Sequence, residues 1–335
     1  MRLGKITRTA WQRSVRRQLH TEDAQTLFAL SPSENCSGFE TEDGTAVVWA
    51  DAHTAGDSGR TGFYAVLQAA GELAAKGVRP REVSVRILFP GECEEDLLRE
   101  VAAGIEEACE RMDMQVSALH GEVTPAVVHT VVCVHAAGTA DRNQLIGKRS
   151  AGQSAEILLC GYAGLEGTLR ILDEAEEELS SRFVSAFLDQ TKELKNELVT
   201  PEQLLSCETE RILAARQIGS GGILAALWEL AEDAETGFEI DMANIVLKQE
   251  TVEICEFYRL NPYQMTSAGS FLILTTEAEQ VIELLKGAGA RAGRLGVTKA
   301  QNARVITSGT EMRYLDRPAP DELVNWMAKR EPVCG

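Results

Sequence analysis

The sequence predicts an α/β (α+β) protein of two domains, and three observations predict it. The chain has 335 residues, long enough for two hydrophobic cores. β-Branched segments alternate with helical segments in both halves. A polar stretch over residues 139–152, with few large apolar side chains, separates the halves. That stretch divides the chain into domains over 1–150 and 151–335.

The first half begins with a basic segment: Arg2, Lys5, Arg8, Arg13, Arg16 and Arg17 precede the first acid, Glu22. Trp11, Val15 and Leu19 recur every four residues inside it, as in an amphipathic helix. A transit peptide has similar composition, but no Ser-rich tract or evident cleavage site accompanies it. Residues 45–49 read as a strand, with Asp51 just past its end. Residues 58–76 read as a helix with Phe63, Leu67, Ala70 and Ala74 on one side; Gly77 caps it and Pro80 stops it. Val83, Val85, Ile87 and Phe89 alternate as in a half-buried strand, which Pro90-Gly91 breaks. Residues 94–112 are helical, with a stripe of Leu97, Val101, Ile105 and Cys109. His120-Gly121-Glu122-Val123-Thr124-Pro125 reads as a loop opening a third strand over 127–136.

In the second half, residues 156–160 read as a strand and 166–197 as one long charged helix. Gly219-Ser220-Gly221-Gly222 introduces a helix from Ile223 to about Asp233. Residues 271–275 form a strand, 278–287 a helix, and Val297 and Val305-Ile306 mark closing strands. Pro318 and Pro320 interrupt the chain before a short helix over 323–329, which Pro332 ends.

A net charge of −18 argues against nucleic acid, whose phosphates require a basic surface. No run approaches the ~20 apolar residues of a membrane span. Eight cysteines without a C-x-x-C pair fit free thiols in a reducing compartment, so a cytoplasmic location is expected. His129, Cys133 and His135 share strand parity, but the first two would be ~13 Å apart on a strand, too far for one ion.

Several motifs occur in a telling order: the acidic turn at Asp51, the Gly77-x-x-Pro80 turn, and the His120-Gly121-Glu122 segment. The second half adds Ile218–Ala231, which reads IGSGGILAALWELA, then Leu260-Asn261-Pro262-Tyr263 with Gly269, and Gly296-Val297-Thr298. In this order they resemble the AIR synthase-like (PurM-like) ATP-binding proteins over about residues 30–310. The second half is most similar to the HypE type of hydrogenase maturation factor. The resemblance implies a PurM-like two-domain fold: an N-terminal ferredoxin-like, half-barrel domain that dimerises, and a C-terminal α/β domain. It also implies ATP and Mg²⁺ as cofactors, a homodimer, and a maturation partner protein.

Carried over residue by residue, the resemblance implies Asp51, Glu72 and Glu122 as metal ligands. It implies Asp51, Asp57, Gly219, Gly221 and Gly222 in cofactor binding, and His120, Glu122 and Cys334 in catalysis. Mg²⁺ takes hard oxygen ligands, which is why carboxylates are the candidates. Each has a plainer reading: Asp51 as a turn residue, Asp57 as a helix N-cap, Glu72 on a solvated helix face, His120 on the surface, Cys334 as an incidental tail thiol. The family's acidic Gly-Asp-Asp motif falls at Glu34-Asn35-Cys36-Ser37, and its double Gly becomes Ala118-Leu119. Its Asp-x-Thr-Arg pair becomes Gln217-Ile218-Gly219-Ser220, and its Asn-Glu-Gly becomes Ser267-Ala268-Gly269. Two readings follow: an ATP-dependent enzyme that phosphorylates a carbonyl or amide oxygen, or a degenerate dimeric scaffold that binds a small molecule.

Overall fold

A computed structural model of the chain describes residues 3–20, 26–91, 93–147 and 155–330, so Cys334 lies outside the described residues. It shows the expected mixed α/β class, built on two sheets. A short basic helix, α1 (Arg8–Trp11), comes first and continues as a π-type turn through Arg16. Lys5 and Arg8 pair with Glu229 and Glu232, so the arm packs on the second half of the chain.

The first sheet contains β1 (Cys36–Glu40), β2 (Thr45–Ala55), β3 (Arg79–Phe89), β4 (Gln115–Val123) and β5 (Val131–Asp141), in the order β1-β2-β5-β3-β4. Helices α2 (Thr61–Ala74) and α3 (Glu95–Arg111) cover one face. Ala46, Val48, Ala50, Ala52 and Thr54 of β2 point to that face and are buried. The period of two then puts Trp49, Asp51 and His53 on the opposite, uncovered face.

Two expectations about this sheet are corrected. Asp51 does not follow a strand; β2 runs four residues further, because the small residues Ala52 and Thr54 keep filling the buried side. Thr54 stays satisfied there by donating to the Thr61 carbonyl at 2.7 Å. His120 and Glu122 are not in a loop but in β4, parallel to β3, with Arg86 opposite His120 and Leu88 opposite Glu122. An edge strand pairs on one side only, and from Leu119 onward this one is exposed, so its second half needs no alternating apolar pattern.

The second sheet follows the order β12-β11-β8-β10-β6-β9-β7. Its strands are β6 (Glu156–Cys160), β7 (Ala214–Gln217), β8 (Gly237–Asp241), β9 (Phe271–Thr275), β10 (Ala292–Lys299), β11 (Arg304–Ser308) and β12 (Glu311–Tyr314). Helix α7 (Gly222–Asp233) packs Ile223, Leu227 and Leu230 on one face. Helices α6 (Pro201–Leu205) and α9 (Ala278–Gly287) cover the other through Leu204, Val281 and Leu285.

The expected single helix over 166–197 is instead α4 (Leu165–Ser180), α5 (Ser185–Glu193) and a 3-10 turn. Ser180 and Ser181 donate back to the Glu177 and Glu178 carbonyls, which ends α4. Helices α8 (Gln249–Tyr258) and α10 (Glu322–Met327) complete an aromatic cluster with α4 and α5 in which Tyr258 meets Trp326 edge to face, centroids 5.5 Å apart. Among the described residues no helix is long and apolar enough to cross a membrane.

The two halves meet around α2. Every residue of α2 except Gln68 is buried, as expected of a helix apolar on all sides. A Cβ on Gly71 would lie 1.9 Å from Gln217 Oε1 of β7, so only glycine allows this contact.

Candidate functional site

The uncovered face of the first sheet holds an open depression of about 430 Å³. It is lined by side chains that β-pairing places in two adjacent rows. His53 lies opposite Cys133, Cys133 opposite Arg86, and Arg86 opposite His120. In the next row Asp51 lies opposite His135, and His135 opposite Ser84. Asp51 Oδ1 is 2.8 Å from His135 Nδ1, which fixes the orientation of that imidazole. Trp49 stacks against His135 from the side, with centroids 6.3 Å apart.

The electrostatics are local and distinctive. The chain carries −18 overall, yet this depression holds one guanidinium and three imidazoles against a single carboxylate. Arg86 has no ion-pair partner among the described residues. Burial pushes the Cys133 thiol up, and Arg86 pulls it the other way. The surface therefore suits an anionic group. Mg²⁺ commonly takes one or two carboxylates plus phosphate oxygens and water, so Asp51 alone fits as the protein ligand of a nucleotide-bound ion.

The other candidates from the sequence are dispersed. Glu122 lies two residues beyond His120 on the same face but does not line the depression. Glu72 lies on the covered side, on buried α2. It accepts a hydrogen bond from Gln217 Nε2 at 3.3 Å, and burial raises its carboxyl against the pull of Arg216. Asp51, Glu72 and Glu122 thus do not converge within one protomer, and the described residues contain no group of three or more His, Cys, Asp or Glu arranged to hold a metal.

Asp57 does not cap α2; Arg60 holds the N-cap position without a side-chain bond. Asp57 Oδ2 instead meets His129 Nδ1 at 2.7 Å, and its Oδ1 accepts from Thr130 N at 3.4 Å. His129 therefore precedes β5 and does not share a strand face with Cys133 and His135, correcting that expectation. The Asp57 and Ser58 amides both donate to the carboxylate of Glu174, on α4.

Gly221 and Gly222 adopt φ of +91° and +68°, and a Cβ on Gly222 would lie 2.5 Å from the Tyr263 carbonyl oxygen. The Gly221 amide donates to Asp321 Oδ2 at 2.6 Å, and Leu323 N donates to Oδ1 at 2.8 Å. Burial pushes the Asp321 carboxyl up to about 6 despite these bonds. Gly219 stands before this turn, with open space around its Cα apart from Gln68.

Arg86, His53 and His135 were missed as site residues. Their signal was present: each sits at even spacing on a strand whose other face is apolar. Glu174 and Asp321 left no signal, since each acts on a loop at least 100 residues away.

Residues 35–140 match the family model described as AIR synthase related protein, N-terminal domain, and residues 157–308 match its C-terminal domain. A putative hydrogenase expression/formation protein of Methanocaldococcus jannaschii is 22% identical over 332 residues, covering 96% of each chain. The carbamoyl dehydratase HypE of Rhodobacter capsulatus is 24% identical over 279 residues, covering 79% of this chain and 78% of that one. Among solved structures, one of a HypE–HypF complex superposes with a TM-score of 0.67 at 16% identity, covering 84% of this chain and 93% of that chain. A HypE structure in complex with ATP superposes with a TM-score of 0.64 at 16% identity, covering 82% and 87%. At these identities the structural likeness establishes a shared fold.

Proposed function

The chain belongs to the AIR synthase related family, and on that premise we propose that it is an ATP-dependent enzyme activating a carbonyl or amide oxygen by phosphorylation, of the HypE type. The observation that carries this reading is the depression on the uncovered face of the first sheet, where Arg86, three imidazoles and Asp51 meet. Arg86 would pair with the polyphosphate, and the imidazoles of His53 and His120 would hydrogen-bond to it. Asp51 would hold a nucleotide-bound magnesium and orient His135. His120, and Glu122 beside it on β4, are the candidates for proton transfer. Catalysis of phosphoryl transfer is mainly positioning and charge stabilisation, and these groups can supply both.

The same face supports a homodimer. Phe39 and Trp49 meet edge to face there, centroids 6.0 Å apart, with Val47 beside them. Covering this face with a second copy would bury the aromatic pair and exclude water from the depression.

Cys334 is the proposed acceptor thiol. Once carbamoylated by a partner protein, its thiocarbamate oxygen would take the γ-phosphoryl group, and loss of phosphate and a proton would leave a thiocyanate. The last anchor of the described chain is Arg330, which pairs with Glu178 at 2.7 Å and lies 4.5 Å above the Trp326 ring. Four residues beyond it give a reach of ~14 Å.

One observation favours the scaffold reading: the glycine-bearing turns before α2 and α7 are both filled by carboxylates of the chain itself, Glu174 and Asp321. Calorimetric titration with ATP, with and without Mg²⁺, separates the two. Binding that weakens at least tenfold in Arg86→Ala supports the enzyme reading. Absence of binding in the wild type would leave the scaffold.

A further inference from the structure

The turn between β2 and α2 reads Gly56-Asp57-Ser58-Gly59, and a carboxylate from the other half of the chain sits on it. Glu174 accepts from Asp57 N and from Ser58 N, each at 3.0 Å. A Cβ on Gly56 would lie 2.2 Å from Glu174 Oε1, so glycine leaves the space that the anion fills. Two backbone amides aimed at one anion form a nest. Arg170, one turn earlier on α4, donates to Ala55 O at 2.9 Å, so a guanidinium borders the same space.

Two further observations bear on this turn. Thr130 brackets it, accepting from Gly56 N at 3.0 Å and donating its own N–H to Asp57. It is fully buried, and its hydroxyl has no hydrogen-bond partner. Such groups are rare in folded proteins and point to a missing ligand or water. Helix α4 also loses helical geometry at Ala175, with φ −138° and ψ 29°, directly after Glu174. A break at that position gives the carboxylate a hinge on which to withdraw.

We propose that residues 56–58 form a phosphate-binding cradle, which this conformation keeps shut with the Glu174 carboxylate. The ligand is a phosphate or pyrophosphate group, free or carried by a nucleotide. Its arrival displaces Glu174 and releases α4 from the turn, so binding is coupled to the contact between the two halves. The cradle begins three residues beyond His53 of the depression, ~10 Å at strand rise, and none of its residues lines the depression. It rests on the nucleotide reading only for ATP as one of its ligands.

The test is titration of the full chain with pyrophosphate and, separately, with ATP. Glu174→Ala should bind pyrophosphate at least tenfold more tightly than the wild type. Adding Gly56→Ala should abolish the gain, because the new Cβ occupies the cradle. Thermal melts report whether each variant folds, and the near-isosteric Glu174→Gln serves if Glu174→Ala does not, with a smaller gain expected. Unchanged pyrophosphate affinity in both Glu174 variants overturns the cradle and leaves the carboxylate as a brace between the halves. A wild type that binds ATP alongside that result keeps the nucleotide reading and refutes the cradle alone. A Glu174→Ala protein that binds pyrophosphate while neither protein binds ATP supports the cradle and refutes the nucleotide reading.

Discussion

Acidification should stabilise this protein, although it is strongly acidic and loses surface ion pairs as its carboxylates protonate. Buried carboxyls are the cause, foremost Asp173 and Asp321, both pushed up to about 6 by desolvation, with Glu72 and Glu174 raised in the same direction. Asp173 accepts from the Tyr64 hydroxyl at 2.5 Å, and Asp321 from the Gly221 and Leu323 amides. These bonds favour the charged form but do not overcome burial. A carboxyl whose folded pKa lies above its unfolded value binds its proton more tightly when folded. Its stabilisation is complete below the unfolded pKa, near 3.8, and is lost as the pH rises through 6. A displacement of about two pH units corresponds to about 3 kcal/mol per group over the full range. Between about pH 7.5 and about pH 5.5, linkage gives a gain of about 1 kcal/mol from each. The range stops there because the isoelectric point is near 4.8. Urea denaturation at the two pH values, read as the shift in midpoint at constant slope, measures the gain. Asp321→Asn should reduce the pH dependence. Wild-type stability that is flat or falls on acidification would refute the reasoning, as would an Asp321→Asn protein with the wild-type slope.

Arg86→Ala should weaken ATP binding at least tenfold at low salt, and Asp51→Asn should weaken binding of the magnesium complex more than Asp57→Asn, because Asp51 lines the depression and Asp57 does not; equal affinities of the two Asn variants in calorimetry would count against the site. Trp49→Glu should convert a dimer into a monomer with a similar melting temperature, since Trp49 faces away from the core; light scattering reads the mass. Cys334→Ala should leave ATP binding and folding intact but abolish a gain of about 25 Da at that residue after incubation with ATP and a carbamoyl-donating partner. An intact wild-type tail that stays unmodified with an authentic partner would sink the maturation chemistry.

Much of the architecture was legible from patterning alone. Residues 156–160, 271–275 and 278–287 read from the sequence as the elements observed, because each is a compact apolar run with clear punctuation. Elements with little apolar face were not: β4 is exposed apart from the half-buried Val116 and Ala118, and β12 carries Met312 and Tyr314 at 66% exposure each. The long charged segment after Glu166 looked continuous because serine back-bonding, which ends α4, leaves no periodicity to break. The site was half legible. Asp51 and His120 do line one surface, but Glu72 was assigned by its neighbours in sequence, and burial on α2 depends on β7, which lies some 145 residues away. Carboxylates that fill distant turns are set by tertiary packing alone, so no local reading finds them.

The position of α2 has a consequence for how the chain comes apart. Its residues Phe63, Leu67 and Leu73 belong to the core of the first sheet, while Ala74 and the C-capping Ala75 belong to a core of the second. Gly71 presses on Gln217, and Leu165, Leu169 and Leu198 of the second half join the first core. A wall shared in this way cannot be removed from one side only: melting either sheet strips apolar contacts from the other. The two halves should therefore unfold as one cooperative unit despite their separate sheets. Trp49 reports on the first sheet and Trp326 on the helices beside the second, so single-tryptophan variants that retain one or the other should give superimposable denaturation curves; two separated transitions would mean that α2 binds one half far more strongly than the other.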